Sequence, residues 1–380
     1  MTPAFVTAEY ATDTAERGGS AAAARPGARL RLPGPARLRP RAPRPRGTGR
    51  TGAFATAAAR RRYVWLIAGL AVLAALFALG VLLWQIPVDY GTTGYWRIVE
   101  RRASSLAVIA VVAVGQGMAT VAFQSVAGNR IVTPSLMGFE ALYVAISTAA
   151  VFFLGTGGVA AVTGLPQFAL MIGLMVAFSL ALYGWLLSGK RASMQVMLLV
   201  GIVIGGGLAS VATFMQRMLT PSEFDVLTAR MFGSISNAEV SYLPLAIPLA
   251  LVGAGWLWAR ARRLDVVALG PDTATNLGVD HRRETILTLL AVSVLMAVST
   301  ALIGPMTFLG FLVATLAYQF AGTHSHRRVF PVAALTGFVV LSGAYFALKH
   351  VLDTQGAVSI IIEAVGGIVF LVVILRKGRL

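Results

Sequence analysis

The chain has 380 residues, of which 57% are hydrophobic and only 12% charged, with a formal net charge of +17. That balance excludes an ordinary soluble globule. The absence of cysteine excludes both a disulfide framework and a thiolate metal site.

Residues 1–62 hold most of the excess charge, with 13 arginines against Glu9, Asp13 and Glu16 for a local net of +10. The run "ARPGARLRLPGPARLRPRAPRPRGTGR" has no apolar periodicity and cannot bury a core. An arginine-rich arm of this kind can meet nucleic acid or anionic lipid. The simpler expectation is a disordered cytosolic tail, or sequence joined to the chain by a misassigned start codon, with no nucleic-acid partner. The apolar run that follows is too long for the h-region of a cleaved signal peptide.

From residue 63 to 380 the chain reads as an all-α transmembrane domain. Ten apolar spans are predicted: Tyr63–Trp84, Ser104–Phe123, Leu136–Leu154, Phe168–Leu187, Met194–Met215, Val240–Trp258, Thr285–Leu302, Thr307–Phe320, Val329–Ala347 and Val358–Leu375. Most are long enough to cross a hydrocarbon core of about 30 Å. The third and eighth are short or interrupted: Glu140 lies in one, and Gly304–Pro305 precedes the other. Broken helices are tolerated at membrane depth only where protein or a water-filled path covers their backbone.

Loop cations set the orientation. With the N-terminus inside, cytosolic loops and the C-terminus carry 13 lysines and arginines beyond the tail, and the outer loops carry six: Arg97, Arg101, Arg102, Arg217, Arg230 and Lys349. Both termini are therefore expected in the cytosol, and the stretch between spans six and seven faces it too.

Catalytic signals are weak. "GWLLSGKR", Gly184–Arg191, falls one residue short of the phosphate-binding G-x-x-x-x-G-K-S/T pattern, since Arg191 stands where the hydroxyl would hold Mg²⁺. It also ends a membrane span instead of following a strand, so Lys190 and Arg191 read as interfacial anchors. His324 and His326 offer two nitrogens but no third ligand nearby, which reads as a solvated loop rather than a metal site. No catalytic residue, resident metal or cofactor is expected. Glu363, in "SIIIEAVGGIVF", is read as the one carboxylate well inside a span, either lining a path or hydrated near the outer interface. An ion-driven carrier usually needs several such groups. In the fifth span, Gly201 and Gly205 form a G-x-x-x-G pair extended by Gly206 and Gly207. Such a face suits packing within a subunit, a subunit interface or a conduit wall.

The polar stretch Arg262–Arg283, "RRLDVVALGPDTATNLGVDHRR", is the most informative. Leu264, Val266, Val267 and Leu269 form a short apolar cluster, and Gly270–Pro271 marks a turn. Asp272 or Thr273 can cap a second short helix that Gly278 closes. Two short helices at a sharp angle make a stiff cytosolic knob, suited to docking in a partner's groove.

This stretch resembles the ATPase-coupling loop of FecCD-type permeases, the membrane subunits of type II ABC importers for iron–siderophore complexes, haem and cobalamin. Leu269, Gly270, Ala274, Leu277, Gly278 and Val279 match that family's pattern, with Leu264 opening it. A second segment, "FQSVAGNRIVTPSLMGFEALY", matches the family's post-second-span motif at Gln124, Asn129, Pro134 and Gly138. Arg130 replaces the usual proline, as in an iron-chelate subgroup. "ALIGPMTFLGFLVA" resembles a third motif, with Ala314–Thr315 in place of its closing Pro–His.

The resemblance implies ten helices per subunit, a second permease subunit (a copy or a paralogue), two separate cytosolic ATPase subunits that use ATP and Mg²⁺, and an extracytoplasmic binding protein. It further implies a bacterial cytoplasmic-membrane location and a ferric siderophore as cargo, with haem or cobalamin as the alternative and an ion-driven carrier as the competing class. By the same resemblance Arg101 and Arg102 are expected to meet carboxylates of the binding protein. Gly205, Gly206, Gly207 and Glu363 are expected on the translocation path.

Overall fold

The computed structural model describes residues 54, 56–161, 164–188, 194–236, 238–352 and 356–377, and these are all helix, turn or loop with no strand. The helices are α1 (Ala57–Leu83), α2 (Thr93–Ala127), α3 (Phe139–Ala161), α4 (Leu165–Ser188), α5 (Met194–Gln216), α6 (Pro221–Met231), α7 (Leu243–Ala259), α8 (Ala261–Val267), α9 (Pro271–Asn276), α10 (His281–Ile303), α11 (Leu309–Ala321), α12 (His326–Phe346) and α13 (Val358–Lys377). Residues 1–53 of the proposed tail, and Lys190 with Arg191, lie outside the described residues.

Among the described residues nine helices are long and apolar enough to span a membrane, and α11 is a shorter apolar helix. At 1.5 Å per residue its 13 residues cover about 20 Å, less than a hydrocarbon core. The expectation of an interrupted eighth span therefore holds. So does that of an interrupted third: a 3₁₀ turn at Pro134–Met137 precedes α3, and Gly155 breaks its helical geometry with φ 65°.

The bundle is built around α2, α10 and α12, which pack on one another or through α2. Most of the middle of α2 and of α10 is buried, whereas α1, α5 and α13 keep broad apolar faces exposed. Small residues permit the close crossings in the centre. A Cβ on Gly117 would lie 3.1 Å from the Ala333 carbonyl oxygen, and one on Gly337 would lie 3.1 Å from that of Ala113. With no hydrophobic drive between helices in lipid, this backbone approach and its van der Waals contact hold the pair together.

Two helix starts and one additional helix depart from the expected spans. α1 begins at Ala57, inside the stretch assigned to the tail, where the Thr56 side chain accepts a hydrogen bond from Ala59 N at 3.1 Å. α2 begins at Thr93, eleven residues before Ser104, because Thr92 caps it by accepting from Tyr95 N at 3.2 Å. The added turns carry Arg97, Glu100, Arg101 and Arg102, so hydropathy alone conceals them. α6 is an additional helix between the fifth and sixth spans, opened by a Thr220–Glu223 capping box.

Candidate functional site

Two regions concentrate the residues singled out above. The first is the knob made by α8 and α9. Leu264 and Ala274 are buried against the bundle, while Leu269 and Leu277 are about 60% exposed. Two large apolar side chains are thus left exposed on this short turn instead of entering the core. Gly270 has φ 97° with ψ 165°, and Gly278 has φ 78°, both in territory that side chains with a Cβ avoid. Gly270 itself is the N-cap of α9 and Pro271 its first residue, so the capping role expected of Asp272 or Thr273 falls two or three positions earlier. The last turn closes through Val279 N to Ala274 O at 2.9 Å, which leaves Val279 partly buried.

Charged side chains clamp this knob to the bundle. Glu284, at the start of α10, accepts from both Arg260 and Arg263, the latter at 2.7 Å. Arg260 also lies over the Trp256 ring, 4.7 Å from its centroid. On the other side, Asp265 of α8 accepts from the backbone N of His326 at 2.8 Å and from its Nδ1 at 2.6 Å. His326 is buried at the first residue of α12, which corrects its reading as part of a solvated loop.

The second region is where the interrupted spans meet. Residues 128–138 run from the end of α2 to the middle of α5, where a Cβ on Gly138 would lie 3.1 Å from Gly205 Cα. Gly138 has φ 90°, so it is glycine for conformation as well as space. Just beyond it, Glu140 accepts from Met306 N at 3.2 Å and from the Thr307 hydroxyl, in the break between α10 and α11. Glu140 thus ties the two broken spans together. Glu363 is therefore not the sole carboxylate at depth, and its own side chain is exposed on α13. Of the other motif residues, Gln124 is buried and donates to Arg130 O at 2.7 Å, Asn129 accepts from Ile131 N at 2.9 Å, and Pro134 opens the 3₁₀ turn.

The expected path residues divide. Gly205 is buried against Gly138 and serves packing, whereas Gly206 and Gly207 are exposed with open space where a Cβ would be. Arg101 and Arg102 divide as well. Arg102 donates to the carbonyls of Val81, Leu82, Trp84 and Gln85 at 2.7–3.4 Å, capping the end of α1. Its fork is thus engaged within the chain. Arg101 remains exposed.

The FecCD transport family matches residues 66–376. The chain belongs to that family. It is 47% identical over 328 residues, 86% of this chain and 93% of the relative, to the petrobactin import system permease protein FatC of Bacillus anthracis. It is 32% identical to the petrobactin import permease YclO of Bacillus subtilis, over 83% of this chain and 97% of that one. The fold is similar to that of a putative metal-chelate type ABC transporter in an inward-facing conformation. There the TM-score is 0.69 at 19% identity, covering 83% of this chain and 99% of the other. As a FecCD protein the chain is a multi-pass membrane transport subunit, as its spans and motifs lead one to expect.

Proposed function

We propose that this FecCD protein is the permease subunit of an ATP-driven ABC importer, which carries ferric siderophores into the cytosol of a bacterium. The observation that carries the reading is the α8–α9 knob, anchored by Leu264 and Ala274 and presenting Leu269 and Leu277. It gives a separate ATPase a rigid surface to push, and the excess of positive charge in those loops supports a cytosolic position for that surface and both termini. The permease does not hydrolyse ATP itself; ATP and Mg²⁺ belong to two partner ATPases. Relatives named for petrobactin support a siderophore over haem or cobalamin. The exposed faces of α5 and α13 suit a second permease subunit, a copy or a paralogue. Between the two, Gly206, Gly207 and Glu363 would line a small-walled path.

The test is uptake of radioiron-labelled ferric siderophores by a strain deleted for this chain and then complemented. Uptake should return with the gene and vanish when ATP turnover is blocked. Gly206→Cys and Glu363→Cys, in this naturally cysteine-free chain, should react with water-soluble thiol reagents to a degree that depends on nucleotide. Uptake driven by an ion gradient with ATP depleted would reject the reading. Absence of labelling at both cysteines in every state would move the path elsewhere.

At the outer face, Arg101 is proposed to meet a carboxylate of a substrate-binding protein, a charge-assisted contact that salt should weaken. Arg101→Glu should reduce binding-protein affinity at low salt with no loss of permease stability. Arg102→Ala should do the reverse, because it uncaps α1. Equal effects of the two substitutions in affinity and thermal denaturation assays would refute this division.

A further inference from the structure

The α8 helix has seven residues and cannot hold its own shape without support. Its link to α10 is continuous through α9 and the Glu284 clamp. Nothing in chain connectivity ties it to α2 or α12, the other two central helices. Apolar contacts through Leu264 and Val267 resist separation but not sliding, because dispersion is not directional. What fixes α8 against α12 in register is Asp265, the one acidic residue it carries.

The carboxylate is matched to its donors. It accepts from His326 N and Nδ1, and from the Ser325 hydroxyl at 3.3 Å. Burial works against the Asp265 charge, yet the His326 side-chain and backbone donors outweigh it and hold the carboxyl below its usual range. The chain of contacts then continues inward. His326 Nε2 is 2.6 Å from the Ser125 hydroxyl on α2, and that hydroxyl is 3.2 Å from the Tyr318 hydroxyl on α11. The Arg130 guanidinium stacks over the Tyr318 ring at 4.5 Å and reaches His324 Nδ1 at 3.0 Å, covering the network. One short helix is thereby bonded in series to α12, α2 and α11.

We propose that Asp265, His326 and Ser125 form the joint through which displacement of α8 moves α12 and α2, making them positioning residues for transport. This rests on the reading that the α8–α9 knob docks an ATPase. His326 works because its two ring nitrogens lie on opposite edges, one toward each partner. Remove either contact and α8 can shift under load without carrying the central helices.

The test uses the full permease, reconstituted in proteoliposomes with its second permease, ATPases and binding protein. It measures radioiron-siderophore uptake per ATP hydrolysed. Asp265→Asn and His326→Ala should assemble and hydrolyse ATP, while uptake per ATP falls about tenfold, the worth of a charge-assisted hydrogen bond. His326→Gln keeps an amide that can donate toward Asp265 and hydrogen-bond the Ser125 hydroxyl, and should recover most of that ratio. Ser125→Ala should give an intermediate loss. An unchanged ratio in Asp265→Asn and His326→Ala overturns the proposal. So does a parallel fall in hydrolysis and uptake, or a His326→Gln as defective as His326→Ala, since each marks a merely structural role. Should His326→Ala fail to assemble, His326→Gln and Ser125→Ala decide the matter by the same ratio. A failure of the underlying reading looks different: the wild-type complex would then show no ATP-dependent uptake at all.

Discussion

A permease carrying both Gly270→Val and Gly278→Val should take up ferric siderophore at less than about a tenth of the wild-type rate while reaching the membrane in normal amounts. Neither position is crowded, since a Cβ there would meet nothing within 4 Å. The penalty is purely conformational. At Gly270 the pair φ 97°, ψ 165° belongs to a region open essentially to glycine alone. At Gly278, φ 78° lies near the left-handed region, where a β-branched residue is strained by about 1–2 kcal/mol. Two such costs of about 1–3 kcal/mol each correspond to a factor of ten or more in the population of the docking shape. The mechanism makes a finer distinction as well. Asparagine visits the left-handed region readily, so Gly278→Asn should retain most uptake whereas Gly270→Asn should not. Uptake is compared at matched abundance in membranes. Wild-type uptake by the double valine variant would show that the knob's shape is irrelevant to transport.

Glu140→Ala should lower stability markedly, and Glu140→Gln only slightly. Alanine leaves Met306 N and the Thr307 hydroxyl without an acceptor, in a segment where lipid offers none. A buried polar group stripped of its partner costs about 1–3 kcal/mol, so two such losses come to roughly 2–6 kcal/mol. Glutamine keeps one acceptor oxygen for Met306 N, and its amide N–H can donate to the Thr307 hydroxyl oxygen in place of accepting from it. The readout is the midpoint of heat-induced loss of the monodisperse peak in detergent, together with uptake in cells. If alanine and glutamine behave alike, the carboxyl does not hold the two broken spans together.

Most of the bundle was legible because a hydrocarbon slab demands long apolar runs, and those runs are visible in any hydropathy reading. The short eighth span and the broken third announced themselves through Gly304–Pro305 and Glu140. The α8–α9 turn was legible from Gly270–Pro271 and Gly278, whose spacing fixes where φ turns positive. The polar start of α2 was not, because its periodicity is drowned by Arg97, Glu100, Arg101 and Arg102. A cap signal at Thr92 was the available clue. α6 carries a stronger one, the T-x-x-E of Thr220–Glu223. What no local pattern reveals is partnership across the sequence. Asp265 and His326 are 61 positions apart, Glu140 and Thr307 are 167 apart, and each looks like an ordinary polar residue until the fold pairs it. Arg102 is instructive for the opposite reason. The resemblance pointed to a partner outside the chain, while the carbonyls it serves are 17–21 residues away in its own chain.

The meeting of Gly138 with Gly205 has a mechanical side. A Cβ on either would come within 3.0–3.1 Å of the other's backbone, so no side chain stands between the start of α3 and the middle of α5. Helices that interlock by ridges and grooves must climb over one another to shift, and such interfaces settle into discrete positions. A glycine-on-glycine seam has no ridge. It resists being wedged apart, because any added atom collides with backbone. Any relative motion of these two helices that keeps the two glycines in contact is therefore shear rather than separation.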